Sequence, residues 1–424
     1  MTASTDARLS VLSSLAEIDR QHWDACANPG WPSTRPFGDD PSAFLRAYHG
    51  GAESRPEASG PESKSQRPAY NPFISYDFLH ALEESGSATG RTGWQARHLV
   101  LDGEDGRPVG IVPCYQKPHS MGEYVFDQGW ADAYDRAGGR YYPKLQVSVP
   151  FTPATGRRLL TRADAPPAAR ELLVAGLLEL CRQLRTSSIH ATFLEEPDAD
   201  LLDDSGFLAR MDQQFHFINE GYRDYDDFLD ALASRKRKTI RRERREALAD
   251  GITVEHLTGA AITEADWDVF FSFYMNTGSR KWGRPYLNRR FFSLLGERMA
   301  DRILLIIAKR DGMPIAGALN LIGSDALYGR YWGASEDVPF LHFEICYHQA
   351  VDWAIAHRLP RVEAGAQGDH KLARGYRPIV TRSAHWIADR GLRRAVADYL
   401  SREREAVAAD HEFLDEHTPF KADT

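Results

Sequence analysis

Four cysteines, Cys26, Cys114, Cys181 and Cys346, are all that 424 residues hold, and no two form a C-x-x-C pair. Such scattered thiols suit a reducing, cytoplasmic setting better than a disulfide framework. Long apolar runs are also missing. The longest, such as ILLIIA at 303–308, fall far short of the ~20 residues that a membrane-spanning helix needs. The opening MTASTDARLSVLSSLAE has no apolar core of a secretory signal, so neither export nor a membrane span is expected. There is no G-x-S-x-G, no Walker A run and no G-x-G-x-x-G after a strand. A hydrolase triad, an NTPase and a dinucleotide enzyme therefore have no support. Positive charge is outnumbered: 52 Lys and Arg face 60 Asp and Glu, for a net charge of −8. That balance argues against a generic nucleic-acid binder. DNA is not an expected partner, and any RNA contact has to be a local patch.

What is present describes an ordinary globular chain, 42% hydrophobic and 26% charged, long enough for two domains or three. Residues 28–69 are rich in Pro, Gly, Ser and charge, and are expected to form a flexible insertion. One phrase is written twice. DGRPVGIVPCY at 105–115 and DGMPIAGALNL at 311–321 each follow an apolar stretch, RHLVLDGE and RILLIIAKR. Asp-Gly between β-prone flanks predicts a hairpin at 97–115 and another at 303–322. Helical spacing of apolar residues follows at 169–186 and 342–359, and each helix leads into a strand-like segment, SSIHATFLE and PRVEAGA. The repeated order predicts an α/β (α+β) chain of two similar domains, 1–212 and 213–424, each a mixed, largely antiparallel sheet flanked by helices.

Several segments carry candidate chemistry. SRKRKTIRRERREAL at 234–248 holds eight Lys or Arg between Arg235 and Arg245. Arg235, Lys236, Arg237, Lys238, Arg241 and Arg242 are candidate contacts for phosphates, unless the segment is simply a solvated helix face. NTGSRKWGRPYLNRRFF at 276–292 mixes Arg280, Lys281 and Arg284 with Trp282 and Tyr286, which suits an anionic or stacked ligand. Tyr331 and Trp332 join these as substrate-binding candidates. GAQGDHKLARGYRP at 365–378 offers Lys371 and Arg374 as donors to an oxyanion or phosphate and His370 as a base. Glu344, His348 and Asp352 recur every four residues on one helix face, but a solvated stripe explains them better than a metal, so no metal site is expected. In the first half, residues 118–151 are dense in aromatics, acids and glycine. Tyr124, Asp127, Trp130, Asp132, Tyr134, Tyr141 and Lys144 are candidates there for lining a cleft wall that recognises the acceptor.

GEYVFDQGWADAYDRAGGRYYPKLQVSVPFTPATG, TGSRKWGRPYLNRRFF, FLHFEICYHQAVDWAI and EAGAQGDHKLARGY resemble the FemAB-like N-acyltransferase family, associated with peptidoglycan biosynthesis or recognition. The resemblance covers nearly the whole chain outside 28–69. It implies kinship with the Fem transferases, which carry two tandem GNAT-like domains and move an amino acid from aminoacyl-tRNA to an amine of a peptidoglycan precursor. The repeated hairpin is then the central antiparallel pair of each GNAT-like unit. Lys371 resembles the lysine of their Phe-Lys pair, with His370 in place of the aromatic, and its implied role is to stabilise a tetrahedral oxyanion. One departure matters. GASEDVPFLHFEI at 333–345 lacks the (Gln/Arg)-x-x-Gly-x-(Gly/Ala) run that cradles CoA pyrophosphate in GNAT enzymes.

The expected function is N-acyl transfer from an activated donor, aminoacyl-tRNA or acyl-CoA, to a small-molecule or peptide amine, with no tightly bound cofactor. The second domain is expected to carry the active site, and tRNA is a possible partner. Two other readings remain open: a non-catalytic ligand-binding protein on the same scaffold, and an RNA-binding protein centred on 235–245.

Overall fold

The computed structural model describes residues 8–32, 67–281, 285–365 and 368–421. Most of the expected 28–69 insertion, together with Trp282 and Arg284, lies outside the described residues. At the near end of that stretch Asn28 and Trp31 are buried.

Two compact units divide the chain. Among the described residues, one comprises 8–32, 73–213 and 380–410; the other comprises 67–72, 214–281, 285–365, 368–379 and 411–421. Both follow one order. A strand, Arg8–Leu12 or Ile252–Leu257, lies antiparallel to the first arm of a hairpin. Between that strand and the hairpin the described residues form two α-helices, Arg20–Ala27 and Tyr76–Glu84 in the first unit, Glu264–Lys281 and Arg289–Met299 in the second. The hairpins are the two anticipated from the sequence, His98–Asp102 with Pro108–Val112 and Ile303–Arg310 with Met313–Ile322. Their turns differ. Asp311 and Gly312 have φ of 50° and 81°, the left-handed pair that a two-residue hairpin turn demands and that Asp-Gly tolerates. The first hairpin uses a longer loop, closed by the Gly103 amide donating to the Arg107 carbonyl at 2.8 Å.

After the hairpin comes a parallel step. In the first unit Lys144–Val147 runs beside Ser188–Leu194, with the helix Ala169–Leu184 between them in sequence. In the second, Ala326–Ala334 runs beside Arg361–Glu363, with the helical stretch from Leu341 to Ala356 between. The helix Ala169–Leu184 packs Leu173, Leu177 and Cys181 into a core shared with Leu99, Leu145 and Ile189. In the second unit Ile303–Ala308 is buried throughout, and Trp267, Phe270 and Phe292 pack edge to face and tilted.

The last strand of each copy is exchanged. Ser188–Leu194 takes residues 382–387 as its antiparallel neighbour, whereas Arg361–Glu363 takes 216–218. Thus 380–410, expected within a 213–424 domain, belongs to the first unit. The physical reason is the strand Arg377–Ile387. It is continuous, but its second half pairs with Ser188–Leu194, a partner remote in sequence. Among the described residues no helix is long and apolar enough to cross a membrane.

Candidate active site

In the second unit the parallel step opens. Ala326–Ala334 pairs with Arg361–Glu363 over three residues only, Ala326 to Tyr328. Beyond that point the two strands part. On its other side the same strand bulges: Leu319 faces Tyr331 and Asn320 faces Gly329, so Arg330 is an extra residue. The parting and the bulge together bound a cavity of about 90 Å³. Its wall includes Asn320, Arg330, Tyr331, Trp332, Cys346 and Tyr347, so the two substrate-binding candidates in this strand, Tyr331 and Trp332, both face it.

The helix over the cavity begins irregularly. Residues 344–348 form a π-helical turn, a local widening that recurs at functional sites. Glu344 in that turn is 0% exposed. Arg244 grips its carboxylate through Nε and Nη2 at 3.0 and 2.9 Å, and Gln349 donates to it at 2.7 Å. His348 turns to the Tyr225 hydroxyl at 2.7 Å. Glu344, His348 and Asp352 thus do not converge, and among the described residues no cluster of His, Cys, Asp and Glu could hold a metal.

Lys371 sits on the 3₁₀ turn Asp369–Arg374. Gly375 ends the turn with φ of 84°. A Cβ there would come within 2.6 Å of the Phe228 ring, so both conformation and space require glycine. Lys371 is 1% exposed. Its amine donates to the Gly365 carbonyl at 2.9 Å. Ala364, the preceding residue, lines the cavity, as does Cys346. Burial holds the Lys371 amine down to about 8, with the nearby Cys346 pushing the other way. His370 is exposed, and its Nε2 shares a hydrogen bond of 2.9 Å with the Tyr347 hydroxyl. Burial raises the Tyr347 phenol, so it stays protonated. The Lys371 amine thus bonds the residue next to Ala364 of the cavity wall, and the Tyr347 hydroxyl of that wall shares its hydrogen bond with the exposed His370.

Arg374 is not a free donor. Its Nη1 donates to the His370 carbonyl at 2.7 Å, its Nη2 to Glu243 at 2.8 Å, and its guanidinium lies 3.4 Å from the centre of the Phe343 ring. Glu243 belongs to the basic segment, which is the helix Ser234–Ala247. Ile240, Glu243 and Ala247 turn inward, while the outer face carries a groove of about 750 Å³ lined by Arg235, Lys238, Arg241, Arg242 and Arg245. Arg237 pairs with Asp230, Arg241 with Asp226 and Arg242 with Glu246. Among the described residues Arg235, Lys236, Lys238 and Arg245 have no carboxylate partner. Arg245 was not among the sequence candidates, although its place ten residues after Arg235, on the same face, was a usable signal.

The remaining candidates fall elsewhere. Arg280 and Lys281 lie in the last turn of the helix Glu264–Lys281, their side chains outside the described residues, as is Trp282. Tyr286 is exposed. In the first unit, Asp127, Trp130, Tyr141 and Lys144 are interior. The Lys144 amine donates to Glu123 at 2.6 Å and to Asp127 at 2.5 Å, and Tyr141 donates to Asp127 at 2.7 Å. His190 and His385 meet through their Nδ1 atoms at 2.7 Å. Tyr124 and Tyr134 are half-buried and Asp132 is exposed.

The FemAB-like family model, described as peptidoglycan biosynthesis/recognition, matches residues 14–422. No curated protein sequence matches the chain. Among solved structures, FemX is 14% identical over 78% of this chain and 96% of its own, with a TM-score of 0.49. L-PGS from Bacillus licheniformis is 12% identical over 80% of this chain and 99% of its own, with a TM-score of 0.47. A tandem GNAT protein from the clavulanic acid biosynthesis pathway is 13% identical over 90% of this chain and 98% of its own, with a TM-score of 0.41. With a match from residue 14 to residue 422, the chain belongs to the FemAB-like family of peptidoglycan biosynthesis and recognition proteins.

Proposed function

We propose that the protein is an N-acyltransferase that moves an acyl or aminoacyl group from an activated donor to an acceptor amine, at the cavity beside Lys371. The observation that carries this reading is the buried Lys371 amine, brought down to about 8, at the edge of a cavity between parting parallel strands. Acyl transfer to an amine needs three services: a place for the acyl group, charge for the oxyanion and a path for a proton. The cavity supplies the first. Lys371, still mostly cationic at pH 7, supplies the second in a water-poor setting where a charge acts strongly. The Tyr347–His370 pair supplies the third, since the ring of His370 reaches solvent. The step is direct: the amine attacks the carbonyl, the donor's oxygen or sulfur departs, and the amine proton leaves toward His370. No covalent enzyme intermediate is needed.

Family membership favours an amine of a peptidoglycan precursor as acceptor. For the donor, the missing pyrophosphate run and the outer cationic face of the helix Ser234–Ala247 favour aminoacyl-tRNA over acetyl-CoA. The cytoplasm is the matching setting. The test is donor-dependent acylation of precursor peptides, assayed with charged tRNA and with an acyl-CoA panel. Lys371→Ala should lower kcat while donor affinity stays near normal. Transfer at the wild-type rate by that variant, or none by the wild type with any donor, overturns the reading in favour of a binding protein.

A further inference from the structure

Behind the outer groove a second recess lies between the basic helix and the Lys371 turn. It measures about 350 Å³ and is lined by Arg235, Lys236, Thr239, Glu243, Ala373 and Arg374, with the buried Ile240 beneath. We infer that this recess binds a phosphate or pyrophosphate group of the acyl donor, an inference that rests on the transferase reading above.

The charges are unbalanced in favour of an anion. Three cationic side chains meet one carboxylate in the lining. That carboxylate, Glu243, is already engaged by Arg374 Nη2. Arg235 and Lys236 are exposed and have no counter-ion among the described residues. Arg374 adds an independent sign. Its side chain is only 8% exposed. Nη1 and Nη2 are both used, yet Nε is buried with no acceptor among the described residues. A buried donor left without an acceptor costs about 1–3 kcal/mol, so the guanidinium that lines the recess is not fully satisfied by its protein partners. Thr239 also lines the recess, its hydroxyl donating to the Arg235 carbonyl at 3.0 Å.

Phosphate fits this lining better than carboxylate. It carries up to two charges and several acceptor oxygens, matching an excess of two cations, whereas a carboxylate carries one. The recess also has a mechanical link to the chemistry. Lys371 and Arg374 are three residues apart on a 3₁₀ turn, where such pairs stack on one side. A phosphate held by Arg374 would therefore be held by the turn that places Lys371. Both aminoacyl-tRNA and acyl-CoA carry such groups, so the shared chemistry is what the recess reads.

The test is calorimetric titration of the full-length protein with inorganic pyrophosphate, followed by competition with CoA and with a short RNA hairpin bearing a CCA end. The double variant R235A/K236A changes two exposed, unpaired side chains and should weaken pyrophosphate binding by about tenfold or more. R242A/R245A, on the outer groove, should leave it within about twofold. Displacement of pyrophosphate by CoA names a CoA donor; displacement by the hairpin names an RNA donor. The inference is overturned if pyrophosphate does not bind, if both double variants lose it equally, or if neither mimic displaces it. Lys371→Met separates this result from the broader reading. If that variant abolishes transfer while R235A/K236A leaves pyrophosphate binding intact, only the recess falls. If pyrophosphate binds as expected but Lys371→Met transfers normally, only the transferase reading falls.

Discussion

Two lysines, one in each unit, are buried to the same degree and used in opposite ways. Lys144 is 0% exposed and Lys371 is 1% exposed. Lys144 meets two carboxylates, Glu123 and Asp127. Burial alone would lower its amine, but those carboxylates outweigh burial and raise it. Lys371 has a backbone carbonyl and no carboxylate, so burial prevails and brings it down to about 8. Each lies near the parallel step of its copy. In the first unit the step is packed: Tyr141, His190 and Trp130 close around the ion cluster. In the second it opens into the cavity. The same scaffold thus gives a buried lysine two carboxylate partners in one unit and only a backbone carbonyl in the other.

The comparison is broken most directly at Lys144. Lys144→Met leaves Asp127 buried without its cation and Glu123 with only Lys117 at 3.7 Å, and should cost about 3–5 kcal/mol of stability. Urea denaturation followed by near-UV circular dichroism reads this. A loss under about 1 kcal/mol would mean that the cluster is not cohesive.

Lys371→Met should do the reverse. It removes a charge that burial disfavours and one hydrogen bond, so stability should hold or rise. The kcat for acyl transfer should fall by about 100- to 1,000-fold, the range for deleting an oxyanion donor. A stability loss like that of Lys144→Met, with kcat kept, would make Lys371 a structural lysine.

Alkaline pH sharpens the contrast. Lys371 binds its proton less tightly when folded, about 8 against the usual 10.5. Between those values the unfolded chain holds the extra proton, so stability from this group rises with pH. Lys117, which burial brings down to about 7, acts the same way from a lower pH. Lys144, raised, gives stability that is complete below the ordinary lysine value and lost at still higher pH. Thermal midpoints from pH 7.5 to 10.5 should climb less steeply in Lys371→Met than in the wild type. Identical slopes would place the Lys371 proton elsewhere.

The smallest effect belongs to the outer groove. R242A/R245A should reduce the slope of log affinity against log salt for an RNA hairpin by about 0.7–0.9 per cation removed. An unchanged slope would remove that face from the RNA contact.

Much of this fold was legible in the sequence because its signals are local. Asp-Gly between apolar arms marked both hairpins, and apolar spacing marked the helices Ala169–Leu184 and Gln349–Ala356. The basic helix and the glycine-bounded Lys371 turn were visible as composition. Other features were invisible because they depend on partners far along the chain. The residues 118–151 looked like a cleft wall, since aromatics beside acids suit a ligand. In fact Asp127 and Lys144 satisfy one another inside the fold. Glu344 looked like part of a solvated stripe, yet it is buried and held by Arg244, one hundred residues away. Arg374 looked like a substrate donor, yet two of its nitrogens are committed to His370 and Glu243.

The sequence by itself determined the elements, their repeated order and the family, because turns, periodicity and motifs are properties of neighbouring residues. Only the tertiary structure decided which copy keeps an opening. That choice depends on where the strands Ala326–Ala334 and Arg361–Glu363 part, on the bulge at Arg330, and on which buried lysine finds a carboxylate. Pairing, burial and desolvation are set by what the folded chain brings near, and no local pattern records them.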